Sequence, residues 1–148
     1  MTESNIRWPA YARVPPFLPG RLRARADGWT PERQARFIGL LAETGSVAKA
    51  ARRVGMSRMS AYRLRRCPGA ASFAHAWDAV IAIWQGASLP ARKVTYGELM
   101  EHLFEGPLVI RMRRGRFLLA RREPSDSALL RLLGRIGLRG SRRAWRLA

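Results

Sequence analysis

Val47-Ala-Lys-Ala-Ala-Arg-Arg-Val-Gly-Met-Ser-Arg-Met-Ser-Ala-Tyr-Arg-Leu-Arg-Arg66 is the stretch from which the rest of the chain is read. Two short helices crossing at a steep angle make fixed demands on sequence. A small residue must stand at the crossing, a glycine with positive φ must follow in the turn, and apolar residues must flank both. Ala51 meets the first demand and Gly55, four residues on, the second; Ala50, Val54, Met56, Ala61 and Leu64 supply the apolar flanks. Ser46 and Ser57 stand where N-caps belong. The stretch therefore predicts a helix-turn-helix whose second helix opens at Ser57. An ordinary helical hairpin would meet the same spacing. What separates the two is the outward face, which carries Arg58, Met59, Tyr62, Arg63, Arg65 and Arg66. Four arginines on so short a helix repel one another unless an anion receives them.

Working outward, Thr30-Pro31-Glu32 reads as a helix start: a cap, a proline in the first turn and an acid at the positive dipole end. Phe37, Ile38, Leu40 and Leu41 give that helix its apolar face, and Gly45 closes it. Pro68 and Gly69 stop the helix that Ser57 opens. Residues 70–86 form a fourth helix whose stripe of Phe73, Trp77, Val80, Ile81 and Trp84 is either core or, at Phe73, Trp77, Ile81 and Trp84, an oligomer seam. A shorter helix is expected over residues 95–104. Two β-prone runs around Arg114-Gly115 predict a hairpin with Leu108, Ile110 and Met112 on one face. Ser125 and Asp126 open a last helix with Leu129, Leu130, Leu132, Leu133 and Ile136 along one side. Pro9, Pro15, Pro16, Pro19 and Gly20 forbid a regular helix before residue 29.

The expected fold is mainly α with one β-hairpin. It divides into an extended Pro/Arg-rich arm (1–29), a three-helix helix-turn-helix domain (30–69) and a helical connector or oligomerisation segment (70–106). A hairpin with a leucine-rich helix (107–138) and a frayed basic tail (139–148) follow.

The chain's 148 residues carry 28 Lys+Arg against 10 Asp+Glu, a formal charge of +18. Residues 1–29 are net +3, 30–66 net +7, 67–110 net −2 and 111–148 net +10. An arginine-rich composition, in which only Lys49 and Lys93 are lysines, accounts for the sign but not for the acidic middle. A single cysteine, Cys67, excludes an internal disulfide, and the two histidines, His75 and His102, offer no metal-ligand spacing. Phosphate-binding loops, nucleophile elbows and metal motifs are absent, so neither catalysis nor a cofactor is expected. The longest charge-free run, Ala79 to Ala91, has 13 residues. A membrane span needs about 20, so no membrane partner is expected, and the chain reads as cytoplasmic and nucleoid-associated. A basic hairpin and tail could also hold RNA, but no RNA-binding module is legible.

Double-stranded DNA is the expected partner. Ser57, Arg58, Met59, Tyr62 and Arg63, early on the second helix, would reach base edges, with Arg58 and Arg63 suited to guanine. Lys49, Arg52, Arg53, Arg65 and Arg66 would hold phosphates. Arg21, Arg23 and Arg25 would lie in a minor groove as an arm. Arg111, Arg113, Arg114 and Arg116 would add secondary backbone contacts.

Thr30-Pro-Glu-Arg-Gln-Ala-Arg-Phe-Ile, Thr44-Gly-Ser-Val-Ala-Lys-Ala-Ala-Arg-Arg-Val-Gly-Met-Ser, Ala61-Tyr-Arg-Leu-Arg-Arg and Ala74-His-Ala-Trp-Asp resemble helix-turn-helix proteins similar to phage terminase small subunits. Such proteins are common in α-proteobacteria, in prophage-like settings. The resemblance runs over residues 29–136 and includes the hairpin at Leu108 to Arg122 and the helix start at Ser125-Asp126. It implies DNA recognition for packaging, a ring-shaped oligomer and a large ATPase subunit as partner. The alternatives are a phage-derived regulator working with the transcription machinery and a nonspecific nucleoid-type architectural protein.

Overall fold

Thr30 caps α1 (Pro31–Thr44) by accepting a hydrogen bond from the Arg33 amide, and Gly45 ends it in the left-handed conformation at φ 66°. Both ends follow from local chemistry, as does the burial of Phe37, Ile38 and Leu41 on the apolar face. α2 (Val47–Val54) and α3 (Arg58–Arg66) follow, joined through Gly55 at φ 80°. A single 3₁₀ turn at Pro68–Ala70 leads into α4 (Ala71–Trp84). Then come α5 (Tyr96–Phe104), the antiparallel strands β1 (Leu108–Arg113) and β2 (Arg116–Arg122), and α6 (Asp126–Ala144). The chain is mainly helical with one two-stranded hairpin. This computed structural model describes residues 8–21, 27–87, 89–90 and 92–144, with side chains as far as residue 137.

The core lies between α1, α4 and the apolar face of the helix-turn-helix. Phe37, Phe73 and Trp77 meet there, with ring centroids 5.0 Å apart for Phe37–Trp77 and 6.0 Å for Phe37–Phe73. Burying rings of this size contributes about 1.5–3 kcal/mol each. Of the two readings of the α4 stripe, core or oligomer seam, Phe73 and Trp77 fit the core. Phe73 and Trp77 are fully buried inside the chain, and Ile81 and Trp84 are half-buried against the same core. The Trp84 indole donates to the Ala42 carbonyl at 3.0 Å, which fixes it to the end of α1.

A correction concerns the N-terminal segment. It is extended, as its prolines require, but it is not a free arm. Trp8, Val14, Phe17 and Leu18 are buried, and Phe17 pairs with Leu108 through two backbone hydrogen bonds of 3.2 and 2.8 Å. Apolar side chains spaced among prolines can cover a core from an extended backbone without helical pairing. Gln34, fully buried on α1, clamps the segment: it accepts from the Gly20 amide at 2.6 Å and donates to the Gly20 and Trp29 carbonyls. A Cβ on Gly20 would lie 2.9 Å from that of Ala70, so glycine lets the backbone pass there.

The hairpin turn places Arg114 (φ 51°) and Gly115 (φ 78°) in positive φ, the geometry that matches strand twist. Leu108 and Ile110 face the core with Met112 half-buried, and a bulge after Arg111 shifts the register. β2 packs on α1 so closely that a Cβ on Gly39 would meet the Phe117 ring at 2.2 Å. Among the described side chains of α6, Ala128 and Leu132 are buried, while Leu129, Leu130, Leu133 and Ile136 are exposed. The leucine side therefore does not enter the core as a unit. The helix also continues through residues 139–144, where a frayed tail was expected.

Candidate nucleic-acid interface

The crossing of α2 and α3 is built as its sequence requires. Ala50, Ala51, Ala61 and Leu64 are buried, Val54 and Met56 half-buried, and the Met56 amide donates to the Ala51 carbonyl at 3.0 Å. Ser57 caps α3 by accepting from the Ser60 amide at 3.1 Å. A tertiary bond then fixes the roll of α3: the Trp29 indole donates to the Ser60 hydroxyl at 3.2 Å. On the opposite side Tyr62 stacks against Trp77 with centroids 5.1 Å apart. These contacts leave Ser57, Arg58, Met59, Arg63 and Arg66 on the exposed face, with Tyr62 at its edge. Arg63 lies 3.9 Å from the Met59 sulfur, one turn earlier.

Electrostatics divides the expected phosphate ligands. Lys49 and Arg52 on α2, and Arg58, Arg63 and Arg66 on α3, have no acidic partner among the described residues. Arg65 is different and corrects its assignment. It reaches Asp78 at 2.5 Å and lies 5.7 Å from the centre of the Trp77 ring, so it ties α3 to α4. Arg53 is likewise held, 3.2 Å from Glu43. Arg21 pairs with Glu101 of α5 at 3.0 Å, so the minor-groove arm loses its first arginine to an ion pair. Arg23 and Arg25 lie outside the described residues.

On the hairpin, Arg111 is paired with Glu123. Bonds from Arg121 and Arg111 hold the Glu123 carboxyl below its ordinary range. Arg113, Arg114 and Arg116 at the hairpin tip are exposed and have no acidic partner among the described residues. Glu43 places this tip beside α2: one carboxylate oxygen takes Arg53 and the other accepts from the Phe117 amide at 3.1 Å. Sequence reasoning missed Glu43 and Gln34, although both left a trace. Gln34 occupies the apolar face of α1, one turn before Phe37 and Ile38. Glu43 is an acid in the last turn of a helix, where the dipole disfavours it unless a tertiary partner compensates.

No protein-family model, curated protein or solved structure matches this chain.

Proposed function

We propose that the chain is a non-catalytic, sequence-specific double-stranded DNA-binding protein that reads a major groove with α3. The observation that supports this reading is the set of cations without acidic partners among the described residues on the outer face of a helix-turn-helix: Lys49, Arg52, Arg58, Arg63 and Arg66. Arg58, Met59, Arg63 and Tyr62 are the base-reading candidates. Ser57 serves first as a cap, and its hydroxyl proton remains available to an acceptor at the helix start. Lys49, Arg52 and Arg66 hold phosphates, and the hairpin tip at Arg113, Arg114 and Arg116 adds backbone contacts on the α2 side.

The biological role follows from the resemblance to terminase small subunits: recognition of DNA for packaging, with a large terminase subunit as partner. A phage-derived regulator is the second reading, because the same helix-turn-helix serves either task. Either role places the protein at the nucleoid. The test is binding to genomic fragments and to random duplex across a salt series. Fragment-selective binding that survives moderate salt is the expected result. Unselective binding that collapses steeply with salt would reduce the arginines to phosphate ligands and the protein to an architectural one.

A further inference from the structure

A second candidate site lies away from α3, where the N-terminal segment, α4, the connection at Leu89 to Val94, α5 and the start of α6 border an open cavity of about 490 Å³. Both histidines of the chain line it, His75 from α4 and His102 from α5. Arg131 of α6 also lines it and has no acidic partner among the described residues. Ser72 and Ser125 contribute hydroxyls. Ser72 accepts from the Leu18 amide at 2.9 Å and Ser125 from the Ala128 amide at 3.2 Å, so each keeps its own proton to donate. Arg92, held by Glu98, and Ser127 also line the cavity; the rest of the wall is apolar, with Leu99 fully buried.

Two carboxylates near this cavity are already engaged. Glu98 is bonded by Arg92 and by the Thr95 amide, and Glu101 is paired with Arg21. Both still act on the His102 imidazole, and Asp126 stands between the lining Ser125 and Ser127.

We propose that this cavity binds a small organic phosphate monoester, with the phosphate held by His75, His102, Arg131 and the two serine hydroxyls. Two imidazoles, a guanidinium and two hydroxyls outnumber what the two oxygens of a carboxylate would use, and they suit the three terminal oxygens of a phosphate. The volume exceeds the needs of a bare phosphate and falls in the range of small-molecule sites, roughly 300–1,000 Å³. The apolar wall receives the organic part.

His102 supplies a linked property. Burial holds its pKa below the ordinary value of 6.5; Glu98 and Glu101 oppose that shift, and Arg131 and Arg92 add to it. A bound dianion favours the imidazolium, so binding raises the pKa of His102. The site does not depend on the DNA-binding reading, because it shares no residue with the α3 face.

The experiment is a titration of the full chain with adenosine monophosphate, followed by the imidazole NMR signals. His75→Gln and His102→Gln assign the two signals. Adenosine monophosphate is expected to shift both signals saturably, and adenosine to shift neither. Inorganic phosphate is expected to bind more weakly than the monoester. Arg131→Gln, at an exposed position, is expected to weaken binding about tenfold. Arg63→Gln on α3 is expected to leave it unchanged. Equal shifts with adenosine would overturn the proposal, as would tighter binding of inorganic phosphate than of the monoester. Unmoved histidine signals, or an Arg63→Gln loss equal to that of Arg131→Gln, would overturn it too.

Discussion

The α2–α3 face and the hairpin–α5 side of the molecule are both rich in arginine, yet they use it differently. On α2 and α3, Arg52, Arg58, Arg63 and Arg66 face outward without carboxylate partners among the described residues. Around the hairpin and α5, Arg92, Arg111, Arg121 and Arg122 each meet a glutamate. Segment charge alone ranks the C-terminal region, net +10, above the helix-turn-helix region, net +7. Segment charge does not say which of these arginines a carboxylate holds: the hairpin itself keeps Arg113, Arg114 and Arg116 without an acidic partner among the described residues. An arginine held by a carboxylate has little left to offer a phosphate, whereas an unpaired one on a fixed helix releases counterions when DNA arrives.

The sharpest way to break this comparison is to remove the frame that holds both regions. Phe17→Ala empties a buried site where the N-terminal segment meets β1 and α4, 5.9 Å from the Phe73 ring. It is expected to destabilise the fold by about 3–5 kcal/mol in denaturant unfolding. A wild-type midpoint would mean that the segment is a dispensable arm after all. Next in size, Arg63→Ala is expected to lose about 1–3 kcal/mol of discrimination between the preferred site and random duplex. If every sequence weakened alike, α3 would hold only phosphates.

A smaller contrast separates paired from unpaired arginine directly. Arg66→Ala is expected to lower the salt slope of binding by about 1, and Arg111→Ala to leave it unchanged. Equal slopes for the two variants would dissolve the distinction between the regions.

The smallest effect concerns pH. The folded pKa of His102 is lowered by burial below 6.5. The unfolded chain therefore binds more protons below that value, and stability falls as pH drops through 6.5 towards the folded pKa. His102→Gln is expected to flatten this loss, read as the difference in melting temperature between about pH 7.5 and about pH 5.5. Glu98 acts in a separate, more acid window. Burial works to raise its pKa, but the bonds from Arg92 and Thr95 hold it below 4.5. Its contribution is therefore present above 4.5 and lost as pH falls through the lower folded value.

Much of the architecture was legible because it rests on local rules. Thr30, Ser46 and Ser57 cap the helices they precede, Gly45 and Gly55 end helices in the left-handed region, and Arg114-Gly115 turns the hairpin. Each depends on neighbours a few residues away, which is what a sequence displays. The candidate interface was legible to the same depth: Arg58, Met59 and Arg63 lie on the exposed side of α3 because Ala61 and Leu64 occupy the buried side. By itself, then, the sequence determined the helices, the hairpin and the outward face of α3.

Only the tertiary structure decided which arginines are free, whether the aromatic stripe of α4 is core or seam, and where the N-terminal segment goes. Arg65 meets Asp78 across 13 positions, Arg21 meets Glu101 across 80, and Phe117 meets Glu43 across 74. Phe73 and Trp77 are core because α1 supplies Phe37 opposite them, and the proline-rich segment is ordered because Gln34 of α1 bonds its backbone. Side-chain type sets what each of these groups can do. The partner that satisfies it comes from another element, and the approach of distant elements is absent from any local pattern.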